Sequence, residues 1–221
     1  MKSVIFGGYR HTVESPRLHY PEAELWMQST SIRNWDWALY NWSRWFDIHT
    51  VGPQVHYPGI QLQRPDVLGW YMRQGNERPI YLVETHPDVM GSVPYPREQM
   101  EAEFGKGRFG CQLDYMGALA LSEGFDRWIL YGVGQPYVHD PHSSKAGKWL
   151  KAHQSFLWWL RLARERKVEI VYDGPNMFTP ELFGNAPIRE NPMSGAYGYD
   201  MQSDFEHYQN IQREGYELVK R

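Results

Sequence analysis

The sequence has one cysteine, no long apolar run and almost no net charge, and each absence excludes a class of protein. Because Cys111 is the only cysteine, an internal disulfide bond cannot form, and nothing requires an oxidising compartment. No apolar run approaches the roughly 18 residues of a membrane-spanning helix, and the start, MKSVIFGGYR, has too short an apolar stretch for a signal peptide. We therefore expect a soluble intracellular protein without membrane association, or one carried in a particle.

Charge and motif content narrow the classes further. The net charge is -3, which excludes a generally basic nucleic-acid-binding protein, although a local basic patch stays open. The phosphate-binding pattern G-x-x-x-x-G-K-[ST] is absent, which argues against a P-loop NTPase. Aromatic residues, in contrast, are abundant: 10 Trp and 15 Tyr indicate either a core filled by large side chains or a large partner surface.

The segment Cys111–Gly134 indicates the fold class. Its first half carries apolar residues at helical spacing, and Gly124 lies where such a helix would stop. Ile129–Tyr131 then forms a short apolar run of strand length, and the glycine pair in Gly132-Val133-Gly134 allows a tight turn. This is a helix, a turn and a buried strand.

Other segments repeat this alternation of strands and helices, which is typical of a parallel sheet covered on both faces. The predicted strands are Val4–Phe6, Leu25–Met27, Phe46–His49, Pro79–Glu84, Trp128–Tyr131 and Val168–Tyr172. The predicted helices are Arg97–Phe104, a helix from Gln112, and Lys148–Lys167, and Pro87–Pro96 is predicted as a loop. We expect an α/β fold, a Rossmann-like three-layer sandwich with a mostly parallel sheet of five or six strands, over residues 1–184. Residues 185–221 are polar and tyrosine-rich and are predicted as a C-terminal arm, with a short helix as one option.

Polar and glycine residues cluster where the predicted strands end. In open α/β sheets ligands bind at that carboxyl edge. We predict that ligand-binding residues lie there, namely Gly7, Gly8, Arg10, His11, Ser29, Thr30, His49, Gly132 and Gly134.

Each group has a chemical role and a plainer alternative. Gly7 and Gly8 could expose backbone N–H groups to a phosphate, with charge from Arg10, or could simply form a tight turn. Ser29 and Thr30 would contact a sugar or a base. The catalytic candidates are Glu84 and His86, a carboxylate and an imidazole suited to proton transfer, and their alternative role is to cap the following helix.

The sequence gives weaker indications of a metal site or a reactive thiol than of a ligand site at the strand ends. His139 and His142 do not have zinc-ligand spacing, so no metal site is predicted there. Mg²⁺ could still bridge a phosphorylated ligand through one or two carboxylates, with Glu84, Asp114 and Asp140 as candidates. Cys111 lies at a predicted helix N-terminus, where the helix dipole would lower the thiol pKa, although a lone cysteine is more often a packing residue.

A run of basic residues lies along the predicted third helix and is interpreted mainly as its solvated face. A nucleic-acid contact is the alternative, and nucleic acid is not the expected partner. The run consists of Lys145, Lys148, Lys151, Arg161, Arg164, Arg166 and Lys167.

Several segments resemble small proteins encoded by tailed bacteriophages, over about half of the chain. They are Ser92–Pro96, Phe109–Cys111, Tyr115–Ala120, Ile129–Val133 and the passage from Leu162 to Val171. The resemblance implies a Rossmann-like fold. More distantly, the helix–strand–glycine unit is similar to that of pterin pyrophosphokinase-like and sialyltransferase-like proteins, which implies handling of nucleotides or nucleotide-linked donors.

Three functional hypotheses follow from these patterns. The first is a phage-encoded protein that binds a nucleotide or nucleotide-sugar at the carboxyl edge, with transferase activity as an option. The second is a non-enzymatic virion-associated or interaction protein on a Rossmann scaffold, whose Tyr-rich arm would order against a homo-oligomer or virion partner. The third is a phage factor that sequesters a host signalling nucleotide without turnover. The location would be the host cytoplasm or the virion.

Overall fold

Seven short strands form one sheet in which every pairing is parallel. The computed structural model describes residues 1–7, 16–28, 42–48, 78–133 and 146–173, with the backbone alone at 16, 146–151, 153 and 154. The strands are β1 Ser3–Gly7, β2 Glu24–Gln28, β3 Arg44–Asp47, β4 Ile80–Leu82, β5 Ser92–Pro94, β6 Arg127–Tyr131 and β7 Glu169–Asp173. The α-helices are α1 Arg97–Phe104, α2 Gln112–Ser122 and α3 Ala146–Glu165, and a 3-10 turn spans Pro16–Leu18.

The predicted α/β class and its Rossmann-like architecture are confirmed, with seven strands where five or six were expected. The strand that sequence analysis missed is β5, which lies inside the stretch predicted as a loop. It has three residues, one of which is Pro94, so it shows neither an apolar run nor a regular alternation. Its pairing with β4 creates the strand. The predicted arm, residues 185–221, lies outside the described residues.

The order of the strands is β5-β4-β3-β2-β1-β6-β7. The chain therefore moves outward from β1 to β5 and then returns to the other side of β1, where β6 and β7 complete the sheet. In doubly wound sheets, this reversal is the position at which a crevice opens at the carboxyl edge. Here it lies between β1 and β6.

Alternate residues of each strand face opposite sides of the sheet, and both sides are apolar. Val4, Phe6 and Trp128 face the side on which α1, α2 and α3 pack. Ile5 and Ile129 face the second side of the sheet, where they belong to a separate hydrophobic cluster. Tryptophan fills both clusters, since five tryptophan side chains are fully buried, namely Trp26, Trp42, Trp45, Trp128 and Trp159. For these five residues, core packing explains the aromatic excess.

The helix α2 is the centre of the first cluster. Residues Gln112 to Leu121 are all buried, and the helix packs on β1, β2 and β3 and against both α1 and α3. Lys2 Nζ donates to the backbone oxygen of Glu123 at 3.0 Å, which places the C-terminal end of α2 at the amino edge of the sheet. The N-terminus of α2 therefore points toward the carboxyl edge.

A network of charged side chains holds the C-terminal end of α2 against the sheet. The guanidinium of Arg44 donates to both carboxylate oxygens of Glu123, at 2.6 and 2.8 Å, and its Nε donates to Glu24 at 2.8 Å. The same guanidinium lies 4.6 Å from the ring centre of Trp26. Arg44 therefore makes a cation–π contact in addition to its bidentate ion pair. The network joins β2, β3 and the turn after α2.

The helices α2 and α3 end with the same hydrogen-bond pattern. After α2, the N–H of Phe125 donates to Ala120 and the N–H of Gly124 donates to Leu121, with Gly124 at φ 75°. This is a Schellman ending, which needs a left-handed residue, and it confirms Gly124 as the helix stop.

After α3, Val168 donates to Ala163 and Lys167 donates to Arg164 in the same way, but Lys167 supplies the left-handed residue at φ 67°. A side chain with a Cβ is disfavoured in this conformation. The second turn therefore carries strain that the first does not.

We expect Lys167→Gly to raise the free energy of unfolding by about 0.5–1 kcal/mol, because glycine adopts the left-handed region without strain. The matched substitution Gly124→Ala should lower it by about 1 kcal/mol for the same reason. Urea unfolding of both variants, followed by tryptophan fluorescence, measures the two changes. A loss of stability in Lys167→Gly would contradict the assignment.

Candidate functional site

The structure brings two of the predicted glycines together at the switch point between β1 and β6. Gly7, the last residue of β1, pairs in register with Tyr131, and Gly132 follows directly. Neighbouring strands lie about 4.8 Å apart, so the two glycines share one short stretch of the carboxyl edge. Both residues are buried.

Gly7 is a glycine because the neighbouring strand approaches it closely. A Cβ at this position would overlap Met27 Sδ and would lie 3.3 Å from the backbone oxygen of Trp26. Packing against β2 thus accounts for the residue. The space that a side chain would need at Gly7 is therefore occupied by the Met27 side chain.

Gly132 has φ 63°, a left-handed conformation that glycine adopts freely. The chain turns there immediately after β6. A side chain would strain this turn, so the turn at the end of β6 depends on glycine.

The end of β3 carries a residue that sequence analysis left inside a strand, Asp47. Its side chain is completely buried at the carboxyl edge, in register with Leu82 of β4. A carboxylate is rarely buried in full, and a signal was present, since Asp47 interrupts the apolar run Trp45-Phe46-Asp47-Ile48. We include Asp47 in the candidate site.

Glu84 and His86 follow β4, three strands from β1, which corresponds to about 14 Å along the sheet. The side chain of Glu84 is exposed. The ring Nδ1 of His86 accepts the N–H of Asp88 at 3.2 Å, and Ser92 Oγ accepts the backbone N–H of His86 at 3.0 Å. The imidazole thus caps the turn between β4 and β5, rather than the helix that the plainer interpretation expected.

The remaining predicted site residues lie outside the described ranges, and their roles stay predictions. They are Gly8, Arg10, His11, Ser29, Thr30, His49 and Gly134.

The N-terminus of α2 contains a buried carboxylate. Asp114 Oδ2 accepts hydrogen bonds from Gly110 N–H at 2.6 Å, Cys111 N–H at 2.9 Å and Ser155 Oγ at 2.6 Å. Burial raises the pKa of Asp114 to about 7. Asp114 is completely buried, so a Mg²⁺ ion with its bound waters cannot reach either oxygen, which argues against Asp114 as a Mg²⁺ ligand.

Metal-ligand clusters were also sought among the described residues, and no group of three His, Cys, Asp or Glu side chains suited to a metal occurs there. Of the other two magnesium candidates, Glu84 is exposed, and Asp140 lies outside the described ranges.

Cys111 is the N-cap of α2, as predicted, but the expected effect on its thiol is wrong. The side chain is buried, and burial together with the nearby Asp114 carboxyl raises its pKa well above the ordinary value. The thiol donates to the backbone oxygen of Ala152 at 3.6 Å. Loss of hydration outweighs the helix dipole here, so Cys111 is a packing residue rather than an activated nucleophile.

The basic run on α3 is largely engaged within the protein where the structure describes its side chains. Arg161 pairs with Glu165 at 3.1 Å, and Arg166 pairs with Glu103 at 3.2 Å. Arg164 donates to the hydroxyl of Tyr172 at 2.8 Å. These contacts favour the interpretation of this run as a solvated helix face.

None of the helices in the described ranges combines the length and apolar character needed to span a bilayer. Comparison with known protein families, with curated proteins and with solved structures gives no match.

We expect Cys111 to resist thiol reagents in the native protein, because its thiol is buried and protonated. Labelling with a chromogenic disulfide at neutral pH should be at least about 100-fold slower than in denaturing urea, since reaction waits for a rare opening. Comparable rates in the two conditions would show that the thiol is accessible after all.

Proposed function

We propose that the protein binds a nucleotide or nucleotide-sugar at the carboxyl edge of the sheet, beside the switch point between β1 and β6. The observation that carries this proposal is the reversal of strand order at β1, with Gly7 and Gly132 on adjacent strand ends. A switch point of this kind is the usual ligand position in open parallel sheets. The proposal includes an origin in a tailed bacteriophage, with action in the host cytoplasm or in the virion.

The ligand phosphate would lie against the backbone N–H groups that follow β1 and β6. In this proposal Gly7 with Gly8, and Gly132 with Gly134, would supply those N–H groups. A backbone without side chains lets phosphate oxygens approach closely, and Arg10 and His11 would add positive charge. Mg²⁺ could bridge such a phosphate from the solvent side.

The sugar or base would be held by the strand ends beside β1. Ser29 and Thr30 follow the last residue of β2, and His49 follows β3 by two residues. The buried carboxylate of Asp47 adds an acceptor at the end of β3. Hydroxyl and carboxylate groups are suited to the hydroxyls of a ribose or a hexose.

A specific observation favours binding without turnover as the second candidate function. The proposed acid–base pair lies about 14 Å from the switch point, and the His86 ring is already engaged in its own turn. A protein that sequesters a host signalling nucleotide needs the binding edge but no proton transfer. A transferase would need Glu84 to reach an extended donor.

The first test is a thermal-shift panel of nucleotides, nucleotide-sugars and cyclic nucleotides, with and without Mg²⁺. A ligand at 100 times its Kd stabilises the fold by about 2.7 kcal/mol, which is a readily measured shift. We expect at least one member to bind. We also expect Gly132→Ala to weaken binding by at least about tenfold, because the turn after β6 needs its left-handed glycine.

Gly124→Ala is the matched control, because Gly124 is also left-handed but lies at the amino edge. It should lower stability to a similar degree and leave the Kd from calorimetry unchanged. Silence across the panel, or an equal loss of affinity in both variants, would refute the switch-point site.

We expect Glu84→Gln to leave the nucleotide Kd within about twofold, because Glu84 lies three strands from the switch point. If the wild-type protein converts a nucleotide-sugar, the same variant should lower that rate by about 100-fold or more. Glu98→Gln, an exposed glutamate on α1, is the control. A large loss of affinity in Glu84→Gln would relocate the site toward β4.

A further inference from the structure

The carboxyl group of Asp114 links three segments in the interior. It accepts the N–H groups of Gly110 and Cys111 from the turn before α2, and the hydroxyl of Ser155 from α3. All three donors reach the same oxygen, Oδ2. The other oxygen, Oδ1, is buried and has no hydrogen-bond partner.

No positively charged side chain within the described part of the protein, on α1, α2, α3 or the sheet, pairs with this carboxyl group. The titratable group that faces it is the buried Cys111 thiol, which is neutral. A buried carboxylate without a cation is strongly disfavoured relative to the neutral acid, and the unpaired Oδ1 is where the proton would reside.

The hydrogen bond from Ser155 joins α3 to α2 near the N-terminal half of α3. The helix α3 has 20 residues, about 30 Å, whereas the five-residue strands beside it span about 17 Å. Its C-terminal end is fixed at the amino edge, where Glu169 N–H donates to Asp126. Its N-terminal turns therefore extend past the carboxyl edge, and Ala152 and Ser155 are the contacts to α2 nearest to them.

We propose that Asp114 makes the docking of the N-terminal half of α3 on α2 proton-dependent, firm while its carboxyl is neutral and weaker once it ionises. The pKa of Asp114, raised by burial from 3.8 to about 7, supports this direction. A raised carboxyl pKa means that the folded state holds the proton more tightly than the unfolded state. Stability is therefore lost as the pH rises between these two values, and it levels off above them.

The test is hydrogen exchange of the full chain, read as protection factors so that the intrinsic pH dependence of exchange is removed. Between about pH 5 and pH 7 the protection of amides in the N-terminal half of α3 should fall by up to about tenfold per pH unit, because the opening that exposes them also hydrates Asp114. In Asp114→Asn, which is nearly isosteric and cannot ionise, protection should be flat across this range. Flat protection in the wild type, or the same slope in Asp114→Asn, would overturn the proposal.

A second measurement does not depend on that variant folding. The carboxyl ¹³C shift of Asp114 in the wild-type protein should titrate with a midpoint near 7, as the buried environment requires. A midpoint below about 5 would overturn the proposal, because an ordinary aspartate is already ionised there. Neither experiment involves a nucleotide, so the outcome is independent of the proposed function.

Discussion

The complete burial of α2 is the constraint on which the rest of the structure depends. The helix packs against the sheet and against the two other described helices, and all of its residues from Gln112 to Leu121 are removed from water. Its apolar composition, as in YMGALAL, makes this favourable. A buried helix, however, cannot satisfy the polar groups at its two ends with solvent, so the protein itself must supply partners there.

The two ends of α2 are satisfied in opposite electrostatic ways. At the amino edge of the sheet, Arg44 forms a bidentate pair with Glu123, so charge is balanced by charge. At the other end, Asp114 accepts the N–H groups of Gly110 and Cys111, just before the first turn, without any cation among its described contacts. This second arrangement keeps a titratable group in the interior. Cys111 is buried beside it, and the loss of hydration raises the pKa of its thiol, so the thiol is not activated.

The candidate site follows from topology more than from any motif. The glycine ends of β1 and β6 are neighbours because the chain reverses direction at β1, and no short pattern in the sequence encodes that adjacency. Glu84 and His86 looked equivalent to these glycines as residues that follow a strand. In the structure, β2 and β3 lie between them and the switch point. Ligand binding at the switch point therefore does not by itself bring a ligand to Glu84 and His86.

Local pattern determined most of the secondary structure. The apolar runs of β1, β2 and β6, the helical spacing of α2 and the stop at Gly124 were all readable, because each depends on the hydrophobic period or on a left-handed residue. Strand β5 was not, since three residues ending in Pro94 become a strand only through their pairing with β4. The strand order, the burial of Asp47 and the raised pKa values of Cys111 and Asp114 were likewise decided only in three dimensions. These features depend on which segments pack together and on how much water that packing excludes. Residues that are neighbours along the chain determine neither the packing nor the exclusion of water.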